Sequence, residues 1–509
     1  MPASILTVPR FPRFISAARA LALLLCGAMP GAGAGAPPPE FSARDGLPNA
    51  RAKALAGGEV RVAFLGGSIT AANGWRVHTL EILRGAFPKA AFTEIYAAVS
   101  GTGSNYGAAR LRRDVLRHKP DLLFVEFAVN DGGQRAGAII AQMEGIVRQT
   151  WAASPGADIC FVYTVSAGMF ERIKAGEHPP SSAAMEKVAA HYGIPSVQFG
   201  VEVARRDAAG TLVFHAPASV KAGADGNDAQ GRLIFTRDKT HPTDAGHRVY
   251  AFTLKRALPA LLQTGAAGPH DLPAPLAADN WQRAQLVTIP DSAATGAAAT
   301  AGDATTATAA AAAGTTTAAA TATTAAGTTT AAAGTSSAAV HAAAAWRKLA
   351  PRDTVAAEAG SMAPPIWVAL TPGAAAEFRF KGTRIGIIGL KGADNGQFRC
   401  FIDGRPAATS TLFDSYSTPG RHPLKPWFFP DALPDAGHTV RIELLAEKID
   451  KAAIMKKAGI NIADPTPDAV TSAGAGAYAY DGHMLYLCGF LIVGDPLSAP
   501  ILTGPAPTH

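Results

Sequence analysis

Four short stretches of the chain carry residue types that can do chemistry, and the sharpest is the last. Asp238-Lys239-Thr240-His241 places a carboxylate three residues before an imidazole, in what reads as a short loop. At that spacing the acid can accept the Nδ1 proton, which fixes the tautomer and frees Nε2 to act as a base. The spacing recurs at Asp244 and His247, at the start of an amphipathic segment, where helix capping by the acid and packing by the imidazole are expected. The first stretch, Val62-Ala63-Phe64-Leu65-Gly66-Gly67-Ser68-Ile69-Thr70, is an apolar run ending in two glycines and a serine. Ser68 therefore falls at the carboxyl end of a strand, where open α/β sheets place ligands, although Gly-Ser is also ordinary turn chemistry. The second, Ala97-Ala98-Val99-Ser100-Gly101-Thr102-Gly103, ends a run in small residues that let a backbone amide approach a ligand, or simply make a tight turn. The third, Phe124-Val125-Glu126-Phe127-Ala128-Val129-Asn130-Asp131-Gly132, puts Asn130 just past a buried strand. There its side-chain amide can donate to a developing oxyanion, although Asn-Asp-Gly is common in turns.

None of these is specific alone; their order and separation are. Together they resemble the four blocks of the SGNH (GDSL-like) hydrolases, over residues 58–265. The resemblance implies Ser68 as nucleophile and Asp238 and His241 as the rest of a catalytic triad. It also implies Gly101 and Asn130 in the oxyanion hole with the Ser68 amide, no cofactor, and a flavodoxin-like three-layer α/β/α fold. Gly101 is preferred to Gly103 because it directly follows the strand end. Two positions depart from the pattern: Gly67 stands where the family often has aspartate, and Ala128 where it often has glycine.

The elements that must position these residues are visible as well. Across 45–270, the expected catalytic domain, short apolar runs at 60–65, 92–99, 122–127, 159–165 and 195–199 alternate with helical patterns at 75–87, 104–117, 135–151 and 181–192, closed by 248–262. This alternation predicts βα units around a five-stranded parallel sheet with helices on both faces. Residues 293–345 are almost wholly Ala, Thr and Gly, too poor in large apolar groups to build a core, and read as a linker or loop insertion. From 346 to 500 the pattern is strand-like alternation broken by turns such as Asp403-Gly404, which predicts an all-β sandwich or jelly-roll-like domain. A further stretch at 281–289 is a candidate first strand of that domain.

Residues 1–34 have the parts of a secretory signal: Arg10, Arg13 and Arg19, the apolar run 20–28, and Ala32-Gly33-Ala34 before the expected cleavage. Its removal lowers the formal charge from +7 to +4, and no basic cluster with interleaved aromatics points to nucleic acid. No other run is long enough for a membrane span. The mature protein is thus expected to be exported, to the periplasm or beyond. Cys160, Cys400 and Cys488 lack metal-ligand spacing and no His/Asp cluster argues for a metal; Cys160 reads as a core thiol, while Cys400 and Cys488 could pair.

The architecture resembles secreted carbohydrate esterases that join an SGNH domain to a β-sandwich, which implies deacetylation of a polysaccharide or oligosaccharide. Lipid, short-chain acyl or thioester hydrolysis is the alternative within the class. Trp75 and Tyr106 are candidates for stacking on a sugar, or for packing against the sheet. A different class, a glycan-binding or surface-attachment protein, would need an exposed aromatic platform, for which Phe413, Tyr416, Trp427 and Phe428 are the candidates.

Overall fold

The computed structural model describes residues 38–295, 345–460, 462 and 480–505. The expected signal segment, with Cys26, lies outside them, as does all but the ends of the 293–345 tract. A six-stranded sheet organises the first domain. After the two-residue β1 (Phe41–Ser42) come β2 (Glu59–Gly66), β3 (Ala91–Ala98), β4 (Leu122–Glu126), β5 (Asp158–Tyr163) and β6 (Ser196–Gln198), in the spatial order β1-β6-β5-β4-β2-β3. Strands β2 to β6 form the five-stranded parallel sheet expected, and β1 adds an antiparallel edge through Phe41 opposite Val197. Every residue of β4 and β5 is buried, as a parallel strand covered on both faces requires.

The helices are α1 (Pro48–Leu55), α2 (Ser68–Ala71), α3 (Trp75–Ala86), α4 (Ser104–Asp114), α5 (Ala136–Ala153), α6 (Ala167–Lys174), α7 (Pro180–His191), α8 (Phe199–Ala208) and α9 (Asp244–Gln263). Helices α4, α5 and α7 pack side by side, as do α3, α9 and α8, giving a helical layer on each side of the sheet. Helix α9 starts four residues before the expected 248, and its cap is Thr243, whose hydroxyl accepts from the Gly246 amide at 3.1 Å. Asp244 is therefore the first residue inside the helix and not its cap. A parallel ribbon of β7 (Leu212–His215) and β8 (Leu233–Thr236) leads into Asp238; no alternation in the sequence marks it. Among the described residues no helix is long and apolar enough to cross a membrane.

The strands of the second domain pair antiparallel. Its strands are β9 (Ala284–Thr288), β10 (Trp346–Lys348), β11 (Trp367–Ala369), β12 (Ala375–Leu390), β13 (Gln397–Ile402), β14 (Arg405–Thr411), β15 (Leu424–Phe428), β16 (Ala436–Leu444), β17 (Leu485–Pro496) and β18 (Ile501–Thr503). Strand β9, at the 281–289 stretch, pairs with β17. Segments that look like separate strands near 377–380 and 384–388 are one strand, β12. Its first half pairs with β16 and β18 and its second half with β15, with register shifts against β17 at Gly382/Arg384 and Ile388/Gly389. Such irregularities let a long strand bend while its ladders continue.

Cys400 and Cys488 are free and buried, in separate clusters, so they do not pair; Cys160 is a fully buried core thiol. Cys488 belongs to an apolar cluster that joins the two domains, in which Val99, Tyr106 and Ala109 meet Val368, Ile388, Tyr486 and Leu491. Trp281 extends the junction, its ring 5.2 Å from that of Phe428. A junction this apolar holds the domains as one body rather than as beads on a linker.

Candidate active site

Strand β2 is where the sheet changes direction: the next strand in the chain, β3, lies on one side of it and β4 on the other. The carboxyl ends of strands flanking such a point leave a crevice. Ser68 opens α2 immediately beyond β2, with its side chain partly exposed there. The His241 Nε2 stands 2.8 Å from Ser68 Oγ, across 173 residues of sequence. His241 Nδ1 lies 2.6 Å from Asp238 Oδ2, while the other carboxylate oxygen accepts the backbone amides of His241 (2.7 Å) and Thr240 (2.9 Å) and the Thr236 hydroxyl (3.1 Å). Partial burial disfavours the Asp238 charge, but the hydrogen bonds from the His241 side chain and these amides outweigh it and hold the carboxyl far below its usual range. Lys239, at φ +70°, makes the tight turn that folds His241 back onto Asp238, and its carbonyl accepts the Ala167 amide at 2.9 Å.

The Asn130 side chain leans against the turn that precedes Ser68. A Cβ at Gly67 would stand 2.1 Å from Asn130 Oδ1, so the glycine that replaces the family's acid makes room for the asparagine. Gly101 is exposed at φ +72°, a conformation an L-residue adopts only under strain. Its loop is tied to that of Asn130 through Asp131, whose Oδ1 accepts the Ser104 amide at 3.0 Å and the Gln134 side chain at 2.6 Å. Burial pushes the Asp131 carboxyl up to about 6, against these hydrogen bonds. Ser68, His241 and Asp238 thus meet at the crevice with Asn130 against the Gly67 turn, and Gly101 lies on the loop that follows β3, the strand beside β2.

The structure corrects the two sugar-stacking candidates. Trp75 is fully buried, edge-on to Phe64, Phe124 and Phe199, and Tyr106 is fully buried in the domain junction, so neither ring faces a ligand. Both sit on the inward stripe of an amphipathic helix, which buries large rings first. Of the four platform candidates only Tyr416 is well exposed; Phe413 is buried, Trp427 packs edge-on against Phe398, and Phe428 lies against Trp281. No platform forms. His247 packs as expected, its ring filling the space over Gly74 and its Nδ1 3.3 Å from the Trp75 amide.

Two residues of this region went unread in the sequence. Glu126 is fully buried beneath the Ser68 turn, and its signal was a lone carboxylate inside an otherwise apolar strand. Tyr96, partly exposed, lines a cleft of about 460 Å³ between the domains with Ser100, Glu358, Met362, Arg421 and His422. Ser100 precedes Gly101, so the cleft adjoins the Gly101 loop.

Residues 64–249 match the model of the GDSL-like lipase/acylhydrolase family. None of the curated proteins matches the chain. Among solved structures, a two-domain esterase active on acetylated mannans, crystallised with mannopentaose, aligns over 92% of this chain and 98% of its own, with 18% identity and a TM-score of 0.56. An acetylxylan esterase from Geobacillus stearothermophilus, in a catalytic-mutant form, aligns over 39% of this chain and 94% of its own, with 16% identity and a TM-score of 0.30. At such identities the first likeness is one of fold, and it extends through both domains.

Proposed function

Residues 64–249 belong to the GDSL-like lipase/acylhydrolase family, whose members hydrolyse esters, and on that premise we propose that this chain is an exported serine esterase that removes acetyl groups from a polysaccharide or oligosaccharide. The observation that carries the reading is the unbroken chain Ser68 Oγ, His241 Nε2, His241 Nδ1, Asp238 Oδ2, with contacts of 2.8 and 2.6 Å. His241 takes the Ser68 proton as Oγ attacks the ester carbonyl, and Asp238 holds the imidazole in the required tautomer and stabilises its charged form. The oxyanion is held by the amides of Ser68 and Gly101 and by the Asn130 side chain. The imidazolium then protonates the sugar oxygen as its bond to the acyl carbon breaks, and water, deprotonated by His241, attacks the acyl-enzyme, so that acetate leaves and Ser68 Oγ takes the proton back.

The carbohydrate half of the reading is supported by the fold shared across both domains with an esterase that acts on acetylated mannans, and by the interdomain cleft beside the Gly101 loop. A cleft open at both domains suits a chain-like substrate better than a small free ester. Export is supported by the composition of residues 1–34 alone.

Acetate release from a panel of acetylated glycans, with Ser68→Ala as the blank, tests the function. Release by the wild type and none by the variant is expected; equal release from both would sink it. A preference for octanoyl over acetyl esters would keep the chemistry and overturn the substrate. Asn130→Ala is expected to fold normally and to lose about 3 kcal/mol of transition-state stabilisation, read as kcat/KM.

A further inference from the structure

Directly under the Ser68 turn lies a carboxylate that the steps above do not use. Glu126 ends β4, opposite Gly66 in the register of β2, and is 1% exposed. Three donors converge on it from two elements: the Thr70 hydroxyl at 2.9 Å, the Thr164 hydroxyl at 2.6 Å and the backbone amide of Gly67. Gly67 and Thr70 bracket Ser68 on either side. Thr164 ends the run of β5, and the amides just beyond it tie to the acid–base loop and its helix: Val165 donates to the Tyr250 hydroxyl of α9 at 3.0 Å, and Ala167 to the Lys239 carbonyl between Asp238 and His241.

We infer that Glu126 is a positioning residue for the proposed esterase reaction, its carboxylate clamping the Ser68 turn to the segment after β5 that braces the His241 loop. The inference rests on the reading of Ser68 as nucleophile. Among the described residues no basic side chain bonds this carboxylate; Arg110 and Arg76 bond the carbonyls of Gly66 and Thr70 instead. A buried acid without a countercharge costs folding free energy, and an apolar residue would suit a strand as buried as β4 better. What the acid supplies is a set of acceptors for donors on both sides of the nucleophile. Groups of this kind concentrate at functional sites.

The ionised form fits the site, because all three neighbours donate; a protonated Glu126 would have to turn one of them away. Burial pushes its carboxyl up to about 7, with Asp131 adding to the rise and the three hydrogen bonds opposing it; the remaining titratable group facing it is Tyr250. Loss of the Glu126 charge on acidification then weakens the clamp and lowers activity below neutrality.

The test is p-nitrophenyl acetate hydrolysis by the full chain and by Glu126→Gln, with melting temperature as the check on folding. Glu126→Gln is expected to lower kcat by 10- to 100-fold with KM within about twofold. The acid limb of log kcat against pH should be shallower in Glu126→Gln than in the wild type. Wild-type kcat and an unchanged acid limb in Glu126→Gln overturn the inference. If that variant does not fold, Thr164→Val removes a single donor; it should show a smaller loss in kcat alone, and wild-type kcat there is equally fatal. A wild type no more active than Ser68→Ala overturns the functional reading, and this inference falls with it.

Discussion

The buried polar groups around the Ser68 turn and the acid and imidazole pairs of the β domain are held in opposite electrical states. Around the Ser68 turn, burial raises Glu126 to about 7 and Asp131 to about 6 and lowers His247 to about 4, so each leans toward its neutral form. In the β domain burial is outweighed: Asp394, Asp403 and Asp414 fall below the usual carboxylate range, and His422 and His438 rise above the usual imidazole value. The cause is pairing. His422 lies between Glu358 (2.7 Å) and Asp394 (3.0 Å), His438 bonds Asp403 at 2.9 Å, and Asp414 takes Lys425 at 2.7 Å, whereas Glu126 and His247 have only hydroxyl or amide neighbours. The accessory domain neutralises charge by matching it. Near the Ser68 turn acids and bases are left unmatched near neutrality, where proton transfer is easiest. Elsewhere in the α/β domain buried acids are paired, Asp114 with Arg110 and Glu202 with Arg206; Asp228 and Asp238 are held ionised.

The comparison can be broken by experiment. The largest effect expected is Ser68→Ala, which should lose on the order of 10⁴-fold or more in kcat while melting like the wild type; a large loss of stability would mean that Ser68 also serves the fold. Next is Trp75→Ala, at about 3 to 5 kcal/mol of stability measured by denaturant unfolding, because the ring is a core residue; normal stability with weakened glycan binding would return it to the site.

A smaller effect separates two of the buried histidines, His247 and His422. His247 is lowered from 6.5 to about 4, so the unfolded chain binds its proton first, and acidification from pH 8 to 5 costs the fold about 2 kcal/mol through this group. His422 is raised, so its contribution is fully present below its unfolded pKa and is lost as pH rises through the folded one. The stability deficit of His247→Gln should therefore shrink on going from pH 8 to 5, and that of His422→Gln should grow. Deficits that move in the same direction would erase the distinction. The smallest effect belongs to Tyr416→Ala, within about 0.5 kcal/mol of wild type, since its ring stands in solvent.

The chemistry was legible where it is local. Asp238 and His241 lie within one turn, so their spacing alone puts carboxylate and imidazole in reach, and the βα alternation follows from apolar runs whose two faces must both be covered. The buried acid of β4 was in view but unread, because its meaning depends on Thr70 and Thr164, which only the sheet brings to it. Trp75 and Tyr106 show the converse error, since proximity in sequence to a reactive block says nothing about which face of a helix a ring occupies.

By itself the sequence determined the order of the blocks, the parallel sheet and the antiparallel domain, because side-chain periodicity and short-range spacing are properties of the chain. The tertiary structure decided the rest. It brought Ser68 to His241 across 173 residues, buried Tyr106 under the second domain, kept Cys400 and Cys488 apart and bent β12 through both halves of its sheet. Each of these depends on which surfaces exclude water from one another, and that is settled only when the layers pack.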